Sequence, residues 1–180
     1  MLDIYLKYKL NDKKKKILII GNKICKIKSN IDLNDFDVVV RINKMDNYEN
    51  ISGKTDILYI NCKEDYLRHK GGNFLSKINE DTLLLFPSFN DNYIKVLDLF
   101  EHKLSFKKIK LNDIIYMSGI NCCTSFCQLV LYFLLENNDV YITSCDGDNR
   151  YEILKYHQNL KKESEVLLKL IKDKKITYYE

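Results

Sequence analysis

Three short apolar runs near the start of the chain restrict its fold more than any other feature. Ile17 to Ile20 leads into Gly21-Asn22, Phe36 to Val40 into Arg41-Ile42-Asn43, and Asp56 to Ile60 into Asn61. Continuous β-branched runs of this length, bounded by turn residues, are strands covered on both faces, the pattern of a parallel sheet between layers of helices. The expected fold class is therefore α/β: a single Rossmann-like domain over residues 1–180, with a mostly parallel sheet flanked by helices. In such sheets a ligand sits beyond the carboxyl ends of the strands. An Asn there offers one acceptor and two donors without formal charge, which suits a base edge, a ribose hydroxyl or a phosphate oxygen.

The rest of the chain extends the pattern. Leu83 to Phe86 before Pro87 reads as a fourth strand, and Asp91 to Leu104 as a helix with Ile94, Leu97, Phe100 and Leu104 on one stripe. Residues 63–80 read as a helix, a break and a short second helix, with His69 exposed among charges; His102 near the end of the following helix faces solvent or its dipole. Ser118-Gly119 opens a buried helix that runs to Leu135, and Asp139 to Thr143 is a further strand. A helix start gathers unpaired N–H groups and about half a positive charge. Ser118 there is either a plain N-cap or a ligand contact, and the residues alone leave both open. An amphipathic helix carrying Val166, Leu167, Leu170 and Ile171 precedes a closing strand over Lys175 to Tyr179. At the other end, residues 1–16 are an edge strand or a basic arm: Leu2, Ile4, Leu6, Tyr8 and Leu10 alternate, and Lys13 to Lys16 read as a solvated connector.

Charge and cysteine content exclude several classes. Lys+Arg 29 against Asp+Glu 25 leaves a net charge of +4, which fits an anionic small molecule and is too weak to argue for nucleic acid. The six cysteines show neither a Cys-x-x-Cys pair nor zinc-like spacing with His, so buried reduced thiols are expected. No run approaches the roughly 20 apolar residues of a transmembrane segment, and the first residues lack a signal-peptide core. A cytoplasmic setting is expected, and homo-oligomer formation stays open.

Read together, these elements resemble the motifs of the sialyltransferase family. Gly21-Asn22, Ile31-Asp32, Asp35-Phe36-Asp37, Arg41-Ile42-Asn43 and Gly53-Lys54-Thr55 are similar, in order, to the large sialylmotif; Ser118-Gly119 to the small one; and His157, with Glu163 one residue beyond the usual spacing, to the very small one. The resemblance implies a sialyltransferase-type glycosyltransferase fold and inverting transfer of a sialic-acid-like sugar from a CMP-activated donor to a glycan acceptor. It implies neither metal nor cofactor. Asn22, Asn43, Asn61, Ser118, Gly119, Tyr151 and Tyr156 would bind the donor, and His157 would be the catalytic base. Inverting transfer needs a base opposite the leaving nucleotide, and an imidazole titrates near neutral pH. Two departures matter. The family's Cys before the first strand is replaced by Lys14-Lys15-Lys16, and the lid-forming stretch between Asp148 and His157 is short. Two alternatives stay open: a non-catalytic nucleotide or nucleotide-sugar binding domain, and a metal-dependent NDP-sugar transferase using Asp146 and Asp148. The same Asp-x-Asp also suits a simple turn.

Overall fold

The computed structural model describes residues 14–21, 31–43, 45, 51–61, 77–87, 93–100, 104–109, 124–143 and 160–179. Seven strands form one sheet in the order β5-β4-β3-β2-β1-β6-β7: β1 Lys16–Ile20, β2 Val38–Ile42, β3 Ile57–Tyr59, β4 Leu83–Pro87, β5 Phe106–Ile109, β6 Asp139–Thr143 and β7 Ile176–Tyr179. Every pairing is parallel, so the expected mostly parallel sheet is wholly parallel among the described residues. Among the described residues three α-helices accompany it: α1 Tyr93–Leu99, α2 Ser125–Leu135 and α3 Leu160–Lys172.

The apolar runs divide by alternation onto two covered faces. Ile17, Ile19, Val38, Val40, Ile57 and Tyr59 pack with Phe126, Leu129, Val130 and Phe133 of α2 and Leu167 of α3. On the other face Leu58, Ile60, Leu84 and Phe86 meet Val96, Leu97 and Phe100 of α1 and its flank, while Leu18, Ile20 and Val39 meet Leu33, Phe36 and Ile51. Period-two alternation within an all-apolar run fills both layers, so strands of this kind need no polar face.

At the amino edge, side chains extend the ladders. Asp37 Oδ2 accepts the Lys16 amide at 2.8 Å while the Asp37 amide donates to the Lys16 carbonyl at 3.0 Å. Asp56 does the same with Val39, at 2.7 and 3.0 Å. Asn138 Oδ1 accepts the Lys15 amide at 3.4 Å beside the Asp139 amide bond to the Lys15 carbonyl at 2.8 Å. An Asx side chain thus stands in for a ladder carbonyl at the start of β2, β3 and β6, pinning register where pairing begins. The lysine run is correspondingly more than a connector: Lys16 opens β1, and Lys14 pairs with Asp139 at 2.5 Å.

The two longer described helices, α2 and α3, end alike. Asn137 (φ 57°) and Lys174 (φ 53°) take the left-handed conformation just after α2 and α3. Asn138 N then donates to Phe133 O at 3.2 Å and Lys175 N to Leu170 O at 2.8 Å, which is a Schellman closure feeding straight into β6 and β7.

Several expected boundaries move. β2 extends through Arg41 and Ile42, and α1 is shorter than Asp91 to Leu104, with Ile94 54% exposed while Val96, Leu97 and Phe100 are buried. Ile94 therefore leaves the proposed stripe; one residue is 100° on a helix, and Val96 takes the inward position. The segment expected to be helical over 63–80 lies outside the described residues except at its last few positions, and so do His69, His102 and residues 1–13. Cys127 is a buried thiol on α2; the other five cysteines lie outside the described residues.

Candidate functional site at the carboxyl edge

Arg41 shows how motif residues divide between holding the fold and facing the edge. It is 1% exposed, on the face of β2 opposite Val40. Its Nε donates to Thr55 Oγ1 at 2.9 Å, and Nη2 to the carbonyls of Ile51 at 2.6 Å and Lys54 at 3.4 Å. The guanidinium therefore anchors the segment joining β2 to β3 from inside the protein rather than at its surface. Gly53 in that segment has φ +115°, a conformation that favours glycine; a Cβ there would meet Leu33 Cδ1 only at 3.5 Å, so backbone angle rather than space selects the residue. Lys54 Nζ donates to the carbonyls of Phe36 at 2.9 Å and Asp37 at 3.3 Å and pairs with Asp56 at 3.4 Å. Gly53-Lys54-Thr55, Phe36-Asp37 and Arg41 thus contact one another as scaffold.

Beyond the ends of β2 and β3 the polar residues converge. Asn43 adopts φ 49°, a left-handed turn that Asn tolerates better than most side chains. Its amide donates to the Tyr59 carbonyl at 2.8 Å, and its Oδ1 accepts the Asn61 amide at 2.9 Å. Asn61 Nδ2 in turn donates to Ser125 Oγ at 3.3 Å, at the first position of α2. Both asparagines are half-buried. Among the described residues the amide hydrogens of Asn43 Nδ2 meet no acceptor, which leaves two donors at the strand ends.

Below this edge Tyr59 donates from its hydroxyl to Gln128 Oε1 at 2.6 Å, tying β3 to α2. Burial pushes the Tyr59 hydroxyl well above the ordinary tyrosine range. Thr124 is the N-cap of α2, and its hydroxyl oxygen accepts the Cys127 amide at 3.5 Å. Glu163, from the first turn of α3, accepts both the Thr124 amide and, at 2.9 Å, the Thr124 hydroxyl. A carboxylate therefore already sits at the positive end of α2.

The helix expected to open at Ser118 is described from Ser125, with Thr124 as its cap; Ser118 and Gly119 lie outside the described residues. So do Asn22, Tyr151, Tyr156, His157, Asp146 and Asp148. Of the sequence-derived site residues, Asn43 and Asn61 are described, and the fold brings them into contact. Gly21 donates from its amide to the Thr143 carbonyl across β1 and β6, and the first turn of α3 reaches Thr124 through Glu163. β1 and β6 are also where the strand order reverses, the usual position of a ligand crevice in an open parallel sheet.

Thr124 and Ser125 were not singled out from the sequence. Their signal is present, since Thr-Ser directly before Phe126 to Leu135 is an N-cap signature; the Ser-Gly pair upstream drew the assignment instead. Among the described residues no group of three or more His, Cys, Asp or Glu side chains could hold a metal ion, and no helix is long and apolar enough to cross a membrane.

Fold and edge together define the class: an α/β protein built on one parallel sheet, with two asparagines in contact beyond its carboxyl ends, the Asn43 side chain accepting from the Asn61 backbone amide. No family model matches the chain, and no curated protein matches it in sequence.

Proposed function

We propose that the chain is a sialyltransferase-like glycosyltransferase, transferring a sialic-acid-like sugar from a CMP-activated donor to a glycan hydroxyl with inversion. The observation that carries this reading is the contact between Asn43 and Asn61 beyond β2 and β3, continued to Ser125 at the start of α2. Two motif asparagines from different strands meet where a parallel sheet binds its ligand, with amide donors available to a ribose or phosphate oxygen. The reading brings with it a sialyltransferase-type, Rossmann-like fold and a cytoplasmic setting, and it needs no cofactor beyond the donor.

In this reaction the imidazole of His157 takes the proton of the acceptor hydroxyl as that oxygen bonds to the anomeric carbon. The bond from that carbon to the phosphate oxygen breaks, and CMP leaves with the electron pair. Asn22, Asn43, Asn61, Ser118 and Gly119 hold the nucleotide. Tyr151 and Tyr156 donate to the departing phosphate as its charge develops.

Calorimetry with CMP and assays with CMP-activated sugars and a glycan panel test the reading. Wild type binds CMP, N43A weakens binding about tenfold, close to 1.4 kcal/mol, and H157A binds CMP normally while losing transfer and donor hydrolysis. Absence of heat at millimolar CMP, or equal turnover in H157A, overturns it.

A further inference from the structure

Two leucines lie open among lysines at the amino edge of the sheet. β1, β6 and β7 are parallel neighbours, so their starts come to that edge together, as do the ends of α2 and α3 that feed β6 and β7. Both helices pack on one face of the sheet, with Leu131 of α2 and Val166 of α3 against Cys127. Leu135, the last residue of α2, is 46% exposed, and Leu168, one turn from the end of α3, is 45% exposed. Lys169, Lys172, Lys174 and Lys175 are exposed on the same helix end and the turn after it, and Lys14 and Lys16 are exposed where β1 begins. Lys14 is held by Asp139. Among the described residues the other five make no ion pair, although Asp37, Glu136 and Asp173 are exposed at the same edge. A lysine in the last turn answers the negative end of its helix, which accounts for Lys169 and Lys172. It accounts neither for Lys174 and Lys175 beyond that turn nor for leucines left open beside them.

We propose that this end of the molecule docks on an anionic lipid bilayer, with Leu135 and Leu168 entering the headgroup boundary and the lysines facing lipid phosphates. The leucines select a bilayer over a nucleic acid: a phosphate backbone rewards the lysines alone, whereas the headgroup boundary also takes up apolar side chains. Each lysine close to an anionic surface contributes about fivefold in affinity, so a handful of them with two leucines gives reversible docking rather than an anchor. The Asn43–Asn61 contact lies beyond the opposite, carboxyl edge and stays uncovered. The docking face therefore does not rest on the glycosyltransferase reading.

The test is cosedimentation of the full chain with vesicles of phosphatidylcholine alone and of phosphatidylcholine and phosphatidylglycerol in equal parts. Wild type binds the anionic vesicles at about 0.05 M salt, releases them at about 0.5 M, where screening shortens the reach of each charge, and ignores the neutral ones. K172Q lowers binding about fivefold and K169Q/K172Q/K175Q about 100-fold with a shallower salt dependence. K95Q, the same loss of charge on α1 across the sheet, binds as wild type. L135Q and L168Q each weaken binding by about threefold or more with the salt dependence unchanged, because they remove apolar contact and no charge. Every substituted side chain is exposed, and circular dichroism shows each variant folded as wild type. Wild type that ignores anionic vesicles at low salt, leucine variants that bind as wild type, or K95Q as damaging as K172Q overturns the proposal. So does transfer RNA bound more tightly than the vesicles, which assigns the lysines to nucleic acid instead. Calorimetry with CMP keeps the two readings apart: a chain that binds vesicles and no CMP loses the glycosyltransferase reading alone, and one that binds CMP and no vesicles loses the docking face alone.

Discussion

At the scale of single residues, polar side chains do two kinds of work, and burial separates them. Arg41, though part of the Arg-x-Asn motif, is enclosed and bonded to Thr55, Ile51 and Lys54. Replacing it with Met should cost about 2 to 4 kcal/mol in urea denaturation, because carbonyls and a hydroxyl lose their donor inside the protein. Lys is no conservative substitute, since a single ammonium cannot reach oxygens on three residues in a planar fork. Tyr59 makes a pH prediction. Its proton is held more tightly in the folded chain than in the unfolded one, where the hydroxyl titrates near pH 10. Its contribution is fully present below that value and is lost as pH rises above it, because the unfolded state alone gives up the proton. Wild type should therefore lose stability relative to Y59F between about pH 10 and 12 in equilibrium unfolding, with a constant difference between the two from pH 6 to 9.

At the scale of elements, long apolar runs were legible and mixed segments were not. β1, β2, β3, β4, β6, β7 and the apolar body of α2 all lie where alternation, branching and turn residues place them. β5 was missed. Phe106-Lys107-Lys108-Ile109 carries two lysines and sits at the edge of the sheet formed by the described residues, where charge discourages further pairing. The start of α2 was misplaced because a cap depends on what reaches it, and here the partner of Thr124 comes from α3. The two Schellman turns offer a test of local strain. Lys174 bears a Cβ in a conformation that suits glycine, so K174G should raise stability by about 1 kcal/mol in thermal or urea unfolding, while N137G should be nearly neutral, Asn being tolerated there.

At the scale of the whole molecule, burial and pairing should make the centre of the sheet the last part to open. Leu18, Val39 and Leu58 are fully buried on strands with neighbours on both sides, whereas among the described residues β5 and β7 each pair with one strand. Native-state hydrogen exchange should show the slowest amides in β1, β2 and β6, exchanging only through global unfolding, with β5 and β7 faster by at least an order of magnitude. If β7 exchanges as slowly as β1, that edge is covered in solution.

Local sequence determined that the apolar runs are strands, that both sheet faces are covered, and that Asn43 and Asn61 end neighbouring runs, because these follow from period, branching and turn chemistry along the chain. Tertiary structure alone decided that Arg41 is scaffold, that Asn43 bonds Asn61, and that Glu163 caps a helix to which it does not belong. Those contacts join residues 10 to 39 positions apart, and nothing in the spacing of a sequence says which distant donor will meet which acceptor until the strands are laid side by side.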